Sequence, residues 1–392
     1  MKFEDVITLT KQALAQSMGD TYMSQLGDLA AVPANKLIDI GVAVTDMDNT
    51  TEKFTKALIS LIGNYELMQV NVKDEFGDLF VDQMEWGGFL ERAYYGLAEF
   101  IEDPMWNTVN GTSYADIEHT FYQPNVSAKI FNECKAGMIP ISIQRDTLKE
   151  AFRSFEELNR YVAGIHAQVQ NTYKMVKKAY ARMCVAVGIA ESVQATNTAV
   201  HLVTEAIAAG ILNTGDTYVE ALKSKEFKAF MCRRIAEVRD YMKVESTQFN
   251  NGTILASADD VRMKLLSTIA KDLRFSLRAD TFNENLLSFG DYEEVTCWQG
   301  VTDGTGHFDF DSLSKIMIAA DADNKLGLGT SAVTISSAIA ILYDRRALGF
   351  AFNKLKTTSN YTSCADFWNE FLHIWVNMIV DTNCPIVAFI LD

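Results

Sequence analysis

A chain of 392 residues with 48% apolar, 11% aromatic and 22% charged positions is globular, and too long for one compact core of ordinary size. Its formal net charge of −16 argues against a protein that grips nucleic acid by counterion release, which needs Lys and Arg at the phosphates. Such an acidic excess keeps a crowded surface soluble and slows unwanted association.

The opening, MKFEDVITLTKQALAQSMGD, carries acids and polar residues where a signal peptide would be apolar, so secretion is not expected. Phe3, Val6, Ile7, Leu9 and Leu14 give it a loose helical pattern, and residues 18–36 read as an extended arm. LIDIGVAVT, residues 37–45, predicts a strand or extended segment. From Thr50 the period changes, and Phe54, Ala57, Leu58, Leu61 and Ile62 share one helical face that stops at Gly63. Asn49, with Glu52 three residues on, predicts a capping box at its start. Residues 65–123 alternate like strands, broken by Gly77 and the Gly87-Gly88 pair. An excursion of that length is usually functional.

The strongest helical pattern is DTLKEAFRSFEELNRYVAGIHAQVQNTYKMVKKAYARM. Asp146 or Thr147 is expected to cap it, with Glu150 completing a Thr-x-x-Glu box. Leu148, Ala151, Phe152, Phe155, Leu158, Val162, Ile165 and Val169 stripe one face. About 37 residues at the helical rise make a strut of roughly 55 Å. Further helices are predicted near 190–209, with Gly210 as C-terminal punctuation, in GDTYVEALKSKEFKAFMCRRIAEVRDYM and in ADDVRMKLLSTIAKDL. After residue 275 the texture becomes short strands: YEEVTCWQG, KIMIAAD, AVTISSAIAILYD, LGFAFNKL and CPIVAFILD, the last completing a sheet. FWNEFLHIWVNMI reads as a packed strand or helix, since no Lys or Arg flanks it for base stacking. No uncharged run reaches the ~18 apolar residues of a membrane span.

Candidate chemistry is sparse. Asp46-x-Asp48-x-Thr50 spells the start of a haloacid-dehalogenase-type phosphatase, with Asp46 as nucleophile, Asp48 as acid/base and magnesium stabilising the phosphoryl oxygens. The helix and hairpin pattern that follows lacks the alternating strands such an enzyme needs, which favours the capping reading. GLGTSA, from Gly327, fits a relaxed dinucleotide fingerprint but leads into strand-like VTISSAIAILYD, not a helix N-terminus. DADNKLG, from Asp321, puts Lys325 where a calcium loop needs an oxygen ligand. His119, His166, His201, His307 and His373 form no i, i+4 pair, and the six cysteines have no CxxC spacing, so neither zinc nor a disulfide scaffold is expected. No cofactor is expected.

A chain with a long strut, a long Gly-punctuated excursion and no evident site has the features of a shell builder. Three segments also resemble the major capsid proteins of the small phi-29-type podoviruses, which have the Hong Kong 97 fold. DIGVAVTDMDNTTEKFTKALISLIGNYELMQV, with the return EWGGFLERAYYGLAEF, resembles that family's N-terminal arm, short helix and extended loop. QPNVSAKIFNECKAGMIPISIQRDTLKEAFRSFEEL is similar to its Pro-Asn-Val segment and spine-helix opening. FAFNKLKTTSNYTSCADFWNEFLHIWVNMIVDTNCPIVAFIL looks like its closing segment, and KIMIAADAD like a central strand of its axial domain.

The resemblance implies an α+β Hong Kong 97-type capsid fold. Its parts would be an N-terminal arm and short helix (1–64), an extended β-hairpin loop (65–123), a peripheral domain with the spine helix (124–204), an axial domain (205–345) and a C-terminal return (346–392). No immunoglobulin-like C-terminal domain is expected. The implied function is structural and not enzymatic: the major capsid protein of a tailed double-stranded DNA bacteriophage, assembling as hexamers and pentamers into an icosahedral or prolate head. Its place would be the virion capsid, with assembly in the host cytoplasm. Implied partners are further copies of itself, a scaffolding protein, a portal and head fibres. It would enclose DNA without binding it tightly. Trp86, Phe89, Tyr94 and Tyr95 would anchor contacts between subunits, because desolvated aromatics dominate such interfaces. An encapsulin-like nanocompartment shell is the alternative with the same fold.

Overall fold

The computed structural model describes residues 3–18, 34–45, 48–68, 76–79, 89–98, 100–101, 118–123, 126–195, 198–250, 252, 254–278, 292–299, 309–320 and 331–392. Its helices are α1 (Phe3–Met18), α2 (Ala34–Thr45), α3 (Asp48–Met68), α4 (Arg145–Ala151), α5 (Phe155–Gln194), α6 (Leu202–Ala208), α7 (Tyr218–Ala221), α8 (Lys225–Tyr241), α9 (Ser267–Arg278) and α10 (Phe310–Ser314). The strands are β1 (Phe89–Tyr95), β2 (Val126–Gln144), β3 (Ala199–His201), β4 (Val261–Leu266), β5 (Glu293–Val295), β6 (Ile316–Ile318), β7 (Val333–Ile335), β8 (Ala338–Asp344), β9 (Leu348–Thr362), β10 (Phe367–Val380) and β11 (Ile386–Ile390).

Two larger sheets organise the chain. The first is antiparallel with the order β1-β2-β10-β9, and the second is mixed with the order β3-β11-β8-β4-β5. β2 serves two partners in succession: residues 126–132 pair with β1, and residues 133–144 pair with β10. β10 alternates between buried and half-buried positions along most of its length. Leu372, Ile374 and Val376 face inward, the pattern of a strand with one covered face. β8 is buried at every residue and lies between β11 and β4, so it forms the centre of the second sheet.

α5 joins the two sheets. It has 40 residues, a rod of about 60 Å. Its first half buries one stripe (Leu158, Val162, Ile165, Val169, Tyr173), whereas Cys184–Ala190 is buried all round. A helix apolar all round belongs in a core, and here that stretch underlies both sheets: the Cys184 thiol donates to the carbonyls of Gly349 in β9 and Ile379 in β10 of the first sheet, and Gly188 lies against Ile386 in β11 of the second.

Several expectations are corrected. Residues 37–45 form a helix and not a strand. Leu37, Ile40 and Val44 are buried while Ile38 and Val42 are exposed, a helical period hidden in a β-branched run. Gly41 lets this helix approach Phe152, whose Cβ would lie 2.4 Å from an added methyl. Asn49 falls inside α3 and not at its cap, and α3 continues past Gly63 to Met68. Asp146 and Thr147 lie inside the short helix α4; the spine starts anew at Phe155, where the Ser154 hydroxyl accepts the Glu157 N–H at 3.2 Å.

The helix expected near 190–209 divides into the end of α5, strand β3 and α6, with Gly210 beyond it at φ +73°. ADDVRMKLLSTIAKDL divides into strand β4 and helix α9, because VRMKLL is buried in the second sheet. The described residues of KIMIAADAD supply β6, paired with β7 in a two-stranded sheet; the central strand of the larger mixed sheet is β8. Between 65 and 123 the described residues hold one strand, β1, together with the end of α3 and a 3-10 turn at Gly77–Leu79.

Candidate intersubunit surface

The β1–β2 hairpin has two unlike faces, fixed by the period of two along each strand. Toward the body of the subunit point Arg92 and Tyr94 from β1, and Lys129 and Phe131 from β2. Outward point Glu91, Ala93 and Tyr95, opposite Ile130, Ala128 and Val126. Apart from Glu91 that outer face is apolar, with Tyr95 74% and Ile130 56% exposed. The apolar exposure continues into the flanking segments, where Phe100 is 87% and Phe121 86% exposed, with Leu97 and Tyr122 beside them in sequence. Scattered exposed apolar residues are ordinary, whereas a run of them along one strand pair and its flanking segments is not.

Beside Phe131, the polar side chains Arg92, Tyr94 and Lys129 of the inner face are all engaged. The Tyr94 hydroxyl donates to the buried Asp381 carboxylate, and Arg92 Nη1 reaches the same carboxylate at 3.1 Å and the Arg346 carbonyl at 2.6 Å. Lys129 donates to the Val380 carbonyl at 2.7 Å and lies 3.6 Å from Glu191 of α5. Burial, reinforced by Asp381, drives the Tyr94 pKa far above its ordinary value. Asp381 also accepts the Asn383 N–H at 3.2 Å, which holds the turn between β10 and β11.

A second attachment precedes β1. Phe76 and Leu79 are buried, and Asp78 reaches Lys264 of β4 at 2.7 Å and the Tyr343 hydroxyl of β8 at 2.5 Å. Lys264 is fully buried, bonds Glu293 as well, and lies 5.2 Å from the Phe76 ring centre. Lys264 and its other partners hold the Asp78 carboxyl below the usual range against the opposing effect of burial. A buried cation is tolerated only with such compensation.

Of the four aromatic residues expected at subunit contacts, Tyr95 stands on the outer face and Tyr94 on the inner, bound to its own chain. Phe89 opens β1, and Trp86 lies outside the described residues. Leu97, Phe100, Phe121, Tyr122, Val126 and Ile130 are exposed apolar residues that the sequence reading does not name. The Val126–Ile130 alternation was their one available signal.

The phosphatase pattern loses its frame: Asp46 lies outside the described residues, Asp48 begins α3, and the apolar run before them is helical. A nucleophile at a strand end is therefore not built there. Residues 321–330, which carry the calcium-like and dinucleotide-like patterns, also lie outside the described residues. Among the described residues no group of His, Cys, Asp and Glu could hold a metal ion, and no helix is long and apolar enough to cross a membrane.

The sequence matches, over residues 12–390, the family described as Phi29-like phage major capsid protein. It is 19% identical to the major capsid protein of Bacillus phage PZA over 384 residues, 96% of this chain and 71% of that protein. Among solved structures, a chain in the head fiber and inner core protein gp22 structure of native bacteriophage P68 superposes with a TM-score of 0.51 at 10% identity, over 81% of this chain and 84% of that one. A chain of the Staphylococcus phage Andhra capsid gives 0.46 at 13% identity, over 80% and 83%. The chain belongs to the Phi29-like phage major capsid protein family. It is a major capsid protein of a tailed phage, with the α+β capsid fold of the Hong Kong 97 type, self-assembling into the shell of the virion. Between the two shell readings, the phage head is therefore supported over a cellular nanocompartment.

Proposed function

We propose that the outer face of the β1–β2 hairpin is the surface by which one subunit covers the next in hexameric and pentameric capsomers. The observation that carries this is the uncovered apolar run through Tyr95, Leu97, Phe100, Phe121, Val126 and Ile130. Water is excluded from it only when another copy lies across it, and burial of that area is the driving force. Trp86 and Phe89 would add to the same contact.

Residues 1–64 then act as arm and short helix, 65–123 as the extended loop, 124–204 as the peripheral domain, 205–345 as the axial domain, and 346–392 as the return. The return supplies β9 and β10 to one sheet and β11 to the other, which ties the two domains through their final strands. The role is structural without catalysis. Assembly proceeds in the host cytoplasm with a scaffolding protein, a portal and head fibres as partners, and the acidic chain encloses DNA without gripping it.

Negative-stain microscopy and sedimentation of Tyr95→Asp with Phe100→Asp test the reading. The variant is expected to keep its circular dichroism and melting temperature but to stay as small species at concentrations where the parent forms shells. Normal shells from the double variant would refute it.

A further inference from the structure

Arg92 and Lys129 stand directly opposite each other across the β1–β2 hairpin, both facing the body. Like charges so placed in a hairpin repel. Both also lie over the one Phe131 ring, 5.9 and 5.7 Å from its centre, which confines them further. Their repulsion is offset by the body and not by the hairpin: Asp381 takes Arg92 and Tyr94, and Glu191 with the Val380 carbonyl takes Lys129.

The closed hairpin is therefore conditional on two carboxylates that belong to other elements, at the β10 end and on α5. The two attachments of the loop also differ in kind. Lys264 at the Asp78 attachment is 0% exposed, whereas Arg92 and Lys129 are 27% and 33% exposed. Water reaches Arg92 and Lys129 and can take over their solvation when they leave; it does not reach Lys264, although Arg262, 3.5 Å from Asp78, is 29% exposed.

The mechanical route for such a movement is also present. Among the described residues β1 pairs with β2 alone. β2 passes from β1 to β10 at residues 132 and 133, and the β2–β10 ladder is irregular just beyond, between Ile374 and Trp375 opposite Gly137 and Lys135. An irregular ladder bends more easily than a regular one.

We propose that the root of the hairpin is a releasable charge clasp, in which Arg92, Tyr94 and Lys129 close onto Asp381 and Glu191, and whose opening lets the β1–β2 hairpin swing as a unit while both sheets and the Asp78–Lys264 attachment stay folded. The inference concerns the single subunit and does not rest on what the outer face covers.

Hydrogen exchange on the full, unassembled chain tests it. Asp381→Asn is expected to speed exchange of amides in 89–95 and 126–132 by about ten-fold or more, with β8 and β11 unchanged. Adding Lys129→Gln to that variant should restore part of the protection, because it removes the repulsion; a merely structural role for Asp381 in its turn would not respond so. Unchanged hairpin exchange in Asp381→Asn, exchange that rises equally in β8 and β11, or no rescue by Lys129→Gln each overturns the clasp. If Asp381→Asn does not fold, Arg92→Gln with Tyr94→Phe is read the same way: faster hairpin exchange supports the clasp and parental exchange rejects it.

Discussion

Glu191 lies on α5 with its carboxylate 3.6 Å from Lys129 and only 10% of its side chain exposed. Burial pushes its pKa up to about 7 from the ordinary 4.5, with Lys129 opposing the rise and Asp381 adding to it. A carboxyl whose pKa is raised by folding favours the folded state in its neutral form. Its contribution is complete below about pH 4.5 and is lost as pH climbs through about 7. Glu191→Gln, neutral at every pH, should lack this loss of overall stability between about pH 4.5 and 7 in denaturant titrations, while its hairpin amides exchange faster above pH 7, where Lys129 has lost its partner carboxylate. Two glycines offer a second comparison at this scale. A methyl at Gly41 would meet the Cβ and ring of Phe152, whereas one at Gly188 would meet the far end of Leu348, which can turn aside. Gly41→Ala should therefore cost about 2 kcal/mol or more and Gly188→Ala less than about 1 kcal/mol, read from urea midpoints.

At the scale of elements the spine helix α5 matters most, because it lies under both sheets. Lys174 is exposed in its middle, between Tyr173, which packs on Phe352, and Lys177, which lies 4.9 Å from the Tyr173 ring centre. Lys174→Pro removes a helical hydrogen bond and should cost about 3 kcal/mol or more, with loss of shells, while Lys174→Ala should melt as the parent does. The spine was legible from sequence because its stripe repeats over many turns. Its start was not: Thr-x-x-Glu at 147–150 and Ser154 ahead of Glu157 are both good caps, and the chain leaves the helix at Phe152, which packs under Gly41, before Ser154 caps α5. α2 was misread because a nine-residue run with five β-branched positions fits either period, and burial of Leu37, Ile40 and Val44 decides it. β4 was misread for a different reason. A lysine within VRMKLL suggests an exposed helix face, and its compensating partner, Asp78, lies 186 positions away.

For the whole molecule, the property on which the proposed assembly depends is an apolar surface left exposed. The aromatic run of FLERAYY suggested a contact, but sequence alone did not separate its two faces. Register assigns Tyr94 to the subunit's own body and Tyr95 to the outside. Burying one such aromatic side chain contributes about 2 kcal/mol, so losing it at each contact should raise the concentration needed for assembly roughly thirty-fold. Many weak identical contacts amplify that loss, which is why the paired Tyr95 and Phe100 substitutions are expected to abolish shells without unfolding the subunit.

Pro140 lies within β2 opposite Phe371, on the stretch that has left β1 and pairs with β10. With no N–H to give, proline suits a strand only where its nitrogen faces away from the ladder. That margin of the sheet consequently cannot recruit a foreign strand by backbone pairing at this point. Growth by endless stacking into fibres is discouraged there, and copies are left to meet through shaped side-chain surfaces that close on themselves.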